Sequence, residues 1–419
     1  MTQMATVPAD GWLGWWRSAP GPARRALVAA SFGWMLDAFD VMLYALVLAA
    51  LMNDLGLAKS TAGLLGSLTL VASAAGGMIF GLVADRFGRT RALMGSILIY
   101  SIFTAACGLA QSVVQLAVFR VLLGIGMGGE WASGAALVSE TWPAAHRGKA
   151  LGLMQSAWAV GYAAAAMVTL LVLPRFGWRA VFFVGVLPAL FVLWIQNRVE
   201  EPDVWRRSQA APATARTAKF TDIFRGALRP LTVAVTLMNA CTMFAWWGFN
   251  LWIPAYLSLP PAQGGVGLSA SVMSAFVVAM QVGMWFGYVT FGFISDSFGR
   301  KRAYVVYLVA AAILVFAYGA TRTPIVLLLL GPFVAFFGTG YFSGFGAVTA
   351  EIYPTAIRAT AQGFTYNIGR IASAVAPFMV GSLAQTRGFG FALALAAGAF
   401  VLAAVSWRWI PETAGRDIA

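Results

Sequence analysis

The sequence contains few of the residues that build metal centres, redox sites and histidine-dependent active sites. One histidine and two cysteines occur in 419 residues. Cys107 and Cys241 lie 134 positions apart within apolar runs, which predicts packing and not a metal or redox pair. His146 lies in a predicted loop, where its titration near neutral pH leaves a part in proton handling open. We therefore expect no metal, no cofactor and no enzymatic activity.

Charge is equally scarce, because charged residues make up only 10% of the chain and hydrophobic residues 60%. A soluble domain carries about 25% charged residues. Apolar runs long enough to cross a hydrocarbon core of about 30 Å occur twelve times. They cover residues 27–51, 61–83, 92–111, 115–139, 148–173, 178–197, 229–257, 270–294, 303–321, 324–349, 360–386 and 389–410. The composition predicts an all-α polytopic membrane protein with twelve transmembrane helices.

The net charge of +13 is distributed unevenly between the two sides of these predicted helices. Of 28 Lys and Arg residues, 21 fall on the side that carries both chain ends and the middle linker, and five fall on the other side. By the positive-inside rule the first side is cytoplasmic, in an inner membrane. Because these basic residues are scattered over separate loops, they favour contact with anionic lipid over binding of nucleic acid.

One loop motif occurs twice, 211 positions apart, which is half the chain length. The second copy, in which Ser297 replaces Arg86, keeps the spacing of the other Gly, Asp and Arg residues, and of a Glu and an Arg that follow the next apolar runs. Register over such an interval predicts a duplicated architecture, with these residues as a gate or latch between helix ends. They are Gly81, Asp85, Arg86, Gly88, Arg89, Glu140 and Arg147 in the first copy, and Asp296, Gly299, Arg300, Glu351 and Arg358 in the second.

The repeat divides the chain into two predicted bundles of six helices each. Aromatic residues and aspartates in the first segment argue against a cleaved signal peptide. The predicted parts are an N-terminal cytoplasmic segment (1–26), a first bundle (27–197), a cytoplasmic linker (198–228), a second bundle (229–410) and a cytoplasmic tail (411–419).

The loop motif, together with Arg120-x-x-x-Gly124-x-Gly126 in the fourth apolar run, resembles the signatures of the major facilitator superfamily. The resemblance extends over nearly the whole chain. It implies two six-helix halves that rock about a central binding site. The duplication independently supports this arrangement. Because one such chain suffices for a transport pathway, we expect it to work as a monomer.

Charged residues within the apolar runs are few and segregate by half. A carboxylate in hydrocarbon is costly unless it is paired, hydrated or protonated. Asp37 and Asp40 share one face of a helix because they are three residues apart. At matching depths, Asp40 and Arg120 are predicted to pair, with Asp37 and Glu130 nearer the cytoplasm. We predict that these four residues couple transport to protons; a protonated acid that only packs helices is the alternative.

In the second half a single cation, Arg370, lies within an apolar run. A guanidinium stays charged, so it needs an anionic partner. The carboxylate of a substrate fits best, with bidentate geometry; a salt bridge to Asp37 or Glu130 is the alternative. The predicted substrate-binding residues are Arg370, Tyr366, Asn367, Gln281, Asn250, Tyr341 and Trp247.

Several further motifs resemble the sialate:proton symporter family, which includes sialic acid permeases and Jen-type lactate and pyruvate permeases. They include Asp37-Ala-Phe-Asp40, Gly128-Gly-Glu130-Trp and Phe176-Gly-Trp178-Arg179. The Asp-x-Phe-Asp element is also similar to aromatic acid:proton symporters. The resemblance implies proton-coupled uptake of a small organic acid such as lactate, pyruvate, a sugar acid or an aromatic acid. An exporter by proton antiport is disfavoured because the fifth run lacks the Gly-Pro pair of such antiporters.

Overall fold

The computed structural model describes residues 14–143, 146–203, 205–206 and 220–414, and these residues form helices and connecting turns with no β-strand. The predicted segment 1–26, linker 198–228 and tail 411–419 therefore lie partly outside the described residues. Helices of the first half are α1 (Gly14–Arg17), α2 (Gly21–Leu55), α3 (Lys59–Phe87), α4 (Arg89–Cys107), α5 (Val113–Thr141), α6 (Arg147–Val184) and α7 (Pro188–Arg198).

Helices of the second half follow a short 3₁₀ turn at Phe220–Phe224. They are α8 (Leu228–Ser258), α9 (Ala270–Phe298), α10 (Arg300–Ala320), α11 (Pro324–Thr339), α12 (Phe345–Ile352), α13 (Thr355–Ser373), α14 (Ala376–Thr386) and α15 (Phe389–Ser406). A 3₁₀ segment at Gly340–Gly344 joins α11 to α12, so the tenth predicted apolar run is a broken helix.

Ten of the described helical segments are long and apolar enough to cross a membrane. The difference from the twelve predicted runs has a local cause in two places. Residues 148–198 count as one segment, although Gly177 has non-helical φ and ψ there and separates the fifth and sixth runs. The eleventh run is divided between α13 and α14, and α13 is polar on one face. The chain is an integral membrane protein of the predicted all-α class.

The duplicated loops form matching ion pairs in the two halves. Arg89 donates to the carboxylate of Glu140 at 2.9 to 3.3 Å. Arg300, 211 positions later, donates to Glu351 at 3.1 to 3.4 Å and also pairs with Asp296. Each bond joins the first turn of one helix to the terminal turns of another. The loops therefore tie together helix ends within each half.

The other predicted latch residues take less central positions. Arg86 is exposed over the ring of Phe87, and Arg358 donates to the backbone oxygen of Tyr353 at 3.2 Å. The side chains of Asp85 and Arg147 lie outside the described residues, so their predicted contacts stay predictions.

Two carboxylates that the sequence analysis did not single out cap the helices after these loops. Glu201 accepts from the backbone N–H groups of Thr90 and Arg91 at 3.1 to 3.2 Å. Glu412, again 211 positions on, accepts from Arg300 and Lys301 at 2.8 and 3.1 Å. Negative charge at a helix N-terminus stabilises its unpaired N–H groups and its dipole. The repeat thus extends to the segments that follow each bundle.

We call the side of the molecule that carries these loops the terminal side. On the opposite side the two halves are in close contact. Lys59 donates to the backbone oxygens of Gln263 at 2.6 Å and Ala384 at 3.4 Å. Nearby, the backbone N–H of Phe378 donates to Ser67 at 3.1 Å. These bonds all cross from one half to the other, and they close the seam on the opposite side.

Backbone packing across the seam is tight on the opposite side. A Cβ atom added at Gly63 would lie 2.3 Å from the backbone oxygen of Pro377 in the other half. The structure therefore has a closed seam on this side.

Candidate functional site

Arg370 is the centre of the candidate site. Its side chain, 6% exposed, extends from α13 across the boundary between the halves and donates from Nη2 to the hydroxyl of Ser73 on α3 at 2.5 Å. One residue before it, Gly369 lies against Asn239 of α8, since a Cβ there would come within 3.0 Å of that residue. Three helices thus hold the guanidinium at the interface between the halves.

Two carboxyl groups of the first half, Asp37 of α2 and Glu130 of α5, lie near this guanidinium. Gly33, one helical turn before Asp37, lies against Glu130, since a Cβ there would be 2.5 Å from its Oε1. The residue after Glu130 stacks on Tyr366, one turn before Arg370. These carboxyls are at most 1% exposed, and no ion pair within 4.0 Å joins either of them to Arg370. One oxygen of Asp37 and both oxygens of Glu130 have no hydrogen-bond partner. The predicted alternative of a cross-half salt bridge is therefore not formed in this conformation.

A stacked aromatic pair covers this charge cluster on the terminal side. The rings of Trp131 and Tyr366, one from each half, lie 4.4 Å apart with planes inclined by 7°. Trp131 follows Glu130 in a helix that runs toward the terminal side. Tyr366 precedes Arg370 by four residues in a helix that runs away from it, about 6 Å along the axis. The pair therefore lies on the terminal side of the charge cluster.

The predicted pair of Asp40 and Arg120 does not form here. Arg120 is buried over the ring of Tyr44, 3.9 Å from its centroid, and no ion pair joins it to Asp40. Asp40 instead faces the interior of the first bundle, because a Cβ on Gly185 would approach one of its oxygens to 3.0 Å and Thr104 to 2.2 Å. The three-residue spacing brings the two aspartates near each other, with Asp40 beside Thr104 and Gly185.

The remaining predicted binding residues are divided between the site and the packing around it. Gln281 is buried, and neither its Oε1 nor its Nε2 has a hydrogen-bond partner. Asn250 donates to Trp246 in its own helix at 3.1 Å, and its backbone oxygen accepts from Tyr162 across the seam. Of this set, Gln281 offers two free polar atoms to a ligand.

The other three candidates differ in their surroundings. Tyr341 packs against Phe342 and Phe345 inside the second half, with no partner for its hydroxyl. Asn367 is exposed and bonds Gly363 of its own helix at 2.8 Å. Trp247 packs edge-on to Trp158 of the first half at 6.2 Å between ring centroids. Trp247 is the one of these three with an aromatic contact to the other half.

The sequence analysis missed Ser73 and the partners that Trp131 and Trp158 provide. Ser73 lies in a run of small residues whose pattern indicates close helix packing, so nothing in the sequence distinguished its hydroxyl. Trp131 directly follows Glu130 in the Gly-Gly-Glu-Trp motif, and this adjacency to a buried acid was the available signal. No group of three or more metal-ligating side chains occurs among the described residues.

Comparisons with known proteins identify one family of transporters. The family model described as "Major Facilitator Superfamily" matches residues 30–287 and 256–418. A putative metabolite transport protein of Haemophilus influenzae is 34% identical, with 94% of this chain and 97% of the relative covered. A cis,cis-muconate transport protein of Acinetobacter baylyi is 32% identical, covering 91% and 92%. The sialic acid transporter NanX of Escherichia coli is 31% identical, covering 92% and 93%.

A solved structure shares the fold of the whole chain. The crystal structure of a D-xylose-proton symporter superposes with a TM-score of 0.75 at 23% identity, covering 94% of this chain and 99% of the other. At that identity the likeness extends to the fold alone.

Proposed function

The chain belongs to the major facilitator superfamily, and we propose that it takes up a small organic anion together with a proton by alternating access. It would act in the inner membrane as a monomer, with the terminal side facing the cytoplasm. The buried guanidinium of Arg370 carries this proposal. It lies at the boundary between the halves with a neutral hydroxyl as its hydrogen-bond partner and with two unpaired carboxyls nearby.

Arg370 is suited to hold the carboxylate of the substrate. A guanidinium binds a carboxylate through two parallel hydrogen bonds, and burial strengthens both. Its present bond to Ser73 uses one Nη2 donor, which leaves other donors for a ligand. Because Ser73 belongs to the first half, an anion at Arg370 would contact both halves and could favour their closure around it.

The three buried carboxyls supply places for a proton. The described spans contain three buried acids in the first half, Asp37, Asp40 and Glu130. They contain two buried cations, Arg120 and Arg370. If all were ionised, an arriving anion would add to an existing excess of negative charge in a medium of low dielectric. A proton on Asp37 or Glu130 removes that repulsion, because both carboxyls lie near Arg370. Proton and anion would thus bind together and leave together.

Asp40 and Arg120 suit a second step in the same cycle. Both oxygens of Asp40 lack a hydrogen-bond partner in this conformation, which favours its neutral form, because a buried charge without a partner is costly. Loss of the proton from Asp40 would then draw Arg120 away from the ring of Tyr44. The hydrogen bonds that close the seam on the opposite side support an inward-facing conformation, with the terminal side toward the cytoplasm.

Two classes of substrate are compatible with this site. Lactate, pyruvate or a sugar acid suits the guanidinium alone. A separate observation favours an aromatic or unsaturated acid, because the rings of Trp131 and Tyr366 lie next to the charge cluster on its terminal side. Planar conjugated ligands stack on such rings, and the relative from Acinetobacter baylyi is named for cis,cis-muconate. Planar acids are therefore the first compounds to test.

Uptake by proteoliposomes tests the proposal. With an inward proton gradient of one pH unit, coupling of one proton to each anion would accumulate substrate about tenfold. Benzoate, muconate, lactate and pyruvate form the panel. Arg370→Ala should abolish uptake in folded protein, whereas Arg175→Ala, which removes an exposed cation, should not. Normal uptake by Arg370→Ala, or accumulation that persists without the gradient, would contradict the proposal.

A further inference from the structure

Four tryptophans from three helices meet at the boundary between the halves. We call Trp34, Trp158, Trp246 and Trp247 the tryptophan cluster. Trp158 of α6 lies at its centre, with ring centroids 4.7 Å from Trp34 on α2, and 5.6 and 6.2 Å from Trp246 and Trp247 on α8. Two of the four belong to each half, so the cluster is rearranged whenever the halves move.

Three indole N–H groups of this cluster are buried without an acceptor. They belong to Trp34, Trp158 and Trp246, whose side chains are 3 to 5% exposed. Buried indoles elsewhere show the usual arrangement, since Trp142 donates to Ala23 and Trp252 to Pro377. One other buried indole in the described part of the chain, that of Trp407, also lacks an acceptor, but it lies singly within the second half. The concentration of three unpaired donors in one cluster is therefore unusual.

The cluster begins one helical turn from the charge cluster. Trp34 precedes Asp37 by three residues on the same face of α2, about 4.5 Å along its axis. Gly33, next to Trp34, lies against Glu130, since a Cβ there would be 2.5 Å from its Oε1. Trp131, next to Glu130, stacks on Tyr366, one helical turn before Arg370. A molecule held by its carboxylate at Arg370 would therefore have these rings, and their N–H groups, within the length of one small acid.

We propose that the tryptophan cluster is a second subsite, which binds a hydrogen-bond acceptor at the far end of a planar carboxylic acid. This inference rests on the proposed function. The carboxylate would bind Arg370, the flat body would lie among the indole rings, and a hydroxyl, carbonyl or second carboxylate oxygen would accept from the N–H groups. The site therefore selects acids with two polar ends over acids with one.

Packing alone offers a competing account of the same geometry. Trp158 and Trp246 meet at 70°, and Trp246 and Trp247 at 84°. In such edge-on pairs an N–H can point at the face of a neighbouring ring, which is a weak hydrogen bond. Under that account the N–H groups stabilise the fold and do not distinguish one substrate from another.

Substrate pairs that differ by one acceptor separate the two accounts. The pairs are 4-hydroxybenzoate with benzoate, and muconate with sorbate, each measured by KM for uptake or by competition in proteoliposomes. Trp158→Phe and Trp246→Phe remove an N–H and keep a ring. Trp142→Phe removes an indole N–H that is bonded to Ala23, on a helix end outside the cluster, and serves as the control.

We expect wild-type protein to prefer the acid with the extra acceptor, and each cluster variant to lose that preference by about fivefold, the worth of one neutral hydrogen bond. Trp142→Phe should keep it. A preference absent from the wild type, or unchanged in both cluster variants, overturns the subsite. Transport of none of the four acids would instead count against the proposed function. Trp34→Phe replaces either variant that fails to fold, as judged by its melting temperature.

Discussion

Replacing Gly88 or Gly299 by alanine tests whether the duplicated loops depend on a backbone that only glycine adopts. Gly88 has φ 116° and ψ 150°, and Gly299 has φ 91° and ψ 147°. Side chains with a Cβ avoid this region, at a cost of about 1–3 kcal/mol. The same Cβ would lie 2.3 Å from the carboxylate of Glu201 at Gly88, and 2.7 Å from that of Glu412 at Gly299.

The added methyl group should therefore displace the capping carboxylate as well as strain the loop. Loss of such a cap costs about 0.5–2 kcal/mol, so the two effects together amount to about 1.5–5 kcal/mol. Unfolding entropy scales with chain length, and for this chain that free energy corresponds to about 2–6 °C in melting temperature. Thermal unfolding of the purified protein in detergent measures it.

Matched controls lie seven residues before Gly88 and Gly299, in the helices that precede the loops. Gly81 and Gly292 are helical, and a Cβ at either position would meet no heavy atom within 4 Å. Alanine there should leave the melting temperature unchanged or raise it slightly, because glycine weakens a helix interior. Equal losses at Gly81 and Gly88 would refute the reasoning, since the position within the loop would then have no influence.

Three further perturbations follow from the structure. Lys59→Gln removes the cationic donor that closes the opposite side. In a Ser67→Cys background, maleimide labelling from that side should therefore rise severalfold. Unchanged labelling would show that Lys59 does not hold the seam closed. Burial alone would raise the pKa of Glu412, but the N–H groups of Ala414, Arg300, Lys301 and Thr413 together lower it. The melting temperature of the wild type should therefore exceed that of Glu412→Gln by the full amount above the ordinary pKa of a glutamate, and the difference should shrink as pH falls through the lowered pKa. A difference that does not depend on pH would contradict this. Glu130→Gln removes a proton site and keeps Arg370, so binding should survive while gradient-driven accumulation falls; intact accumulation would exclude Glu130 as the proton carrier.

Much of the fold could be predicted from the sequence because hydrophobic length and the 211-residue repeat are local, countable features. The ion pairs of Arg89 with Glu140 and of Arg300 with Glu351 occur at repeated positions, so the second supports the first. The break between α13 and α14 was not predicted, because Arg370 and its polar neighbours lie within a run that is apolar on average.

The site could be predicted only in part, because side-chain direction depends on packing between helices. Helical spacing brought Asp37 and Asp40 together, yet Gly185 and Thr104 hold Asp40 inside its bundle. Depth along the helix suggested that Asp40 and Arg120 would pair, but Tyr44 offers Arg120 an aromatic face instead. Ser73 contacts Arg370 across 297 positions of sequence, and no local pattern encodes such a contact.

Direct measurement of proton movement during substrate flux tests the central claim most closely. Proteoliposomes that contain a pH-sensitive dye, with no initial pH gradient and with the electrical potential clamped, are given an inward gradient of a transported acid that remains ionised at the assay pH. The account predicts acidification of the lumen that depends on the substrate and is lost in Arg370→Ala. Substrate entry without any accompanying acidification would contradict it.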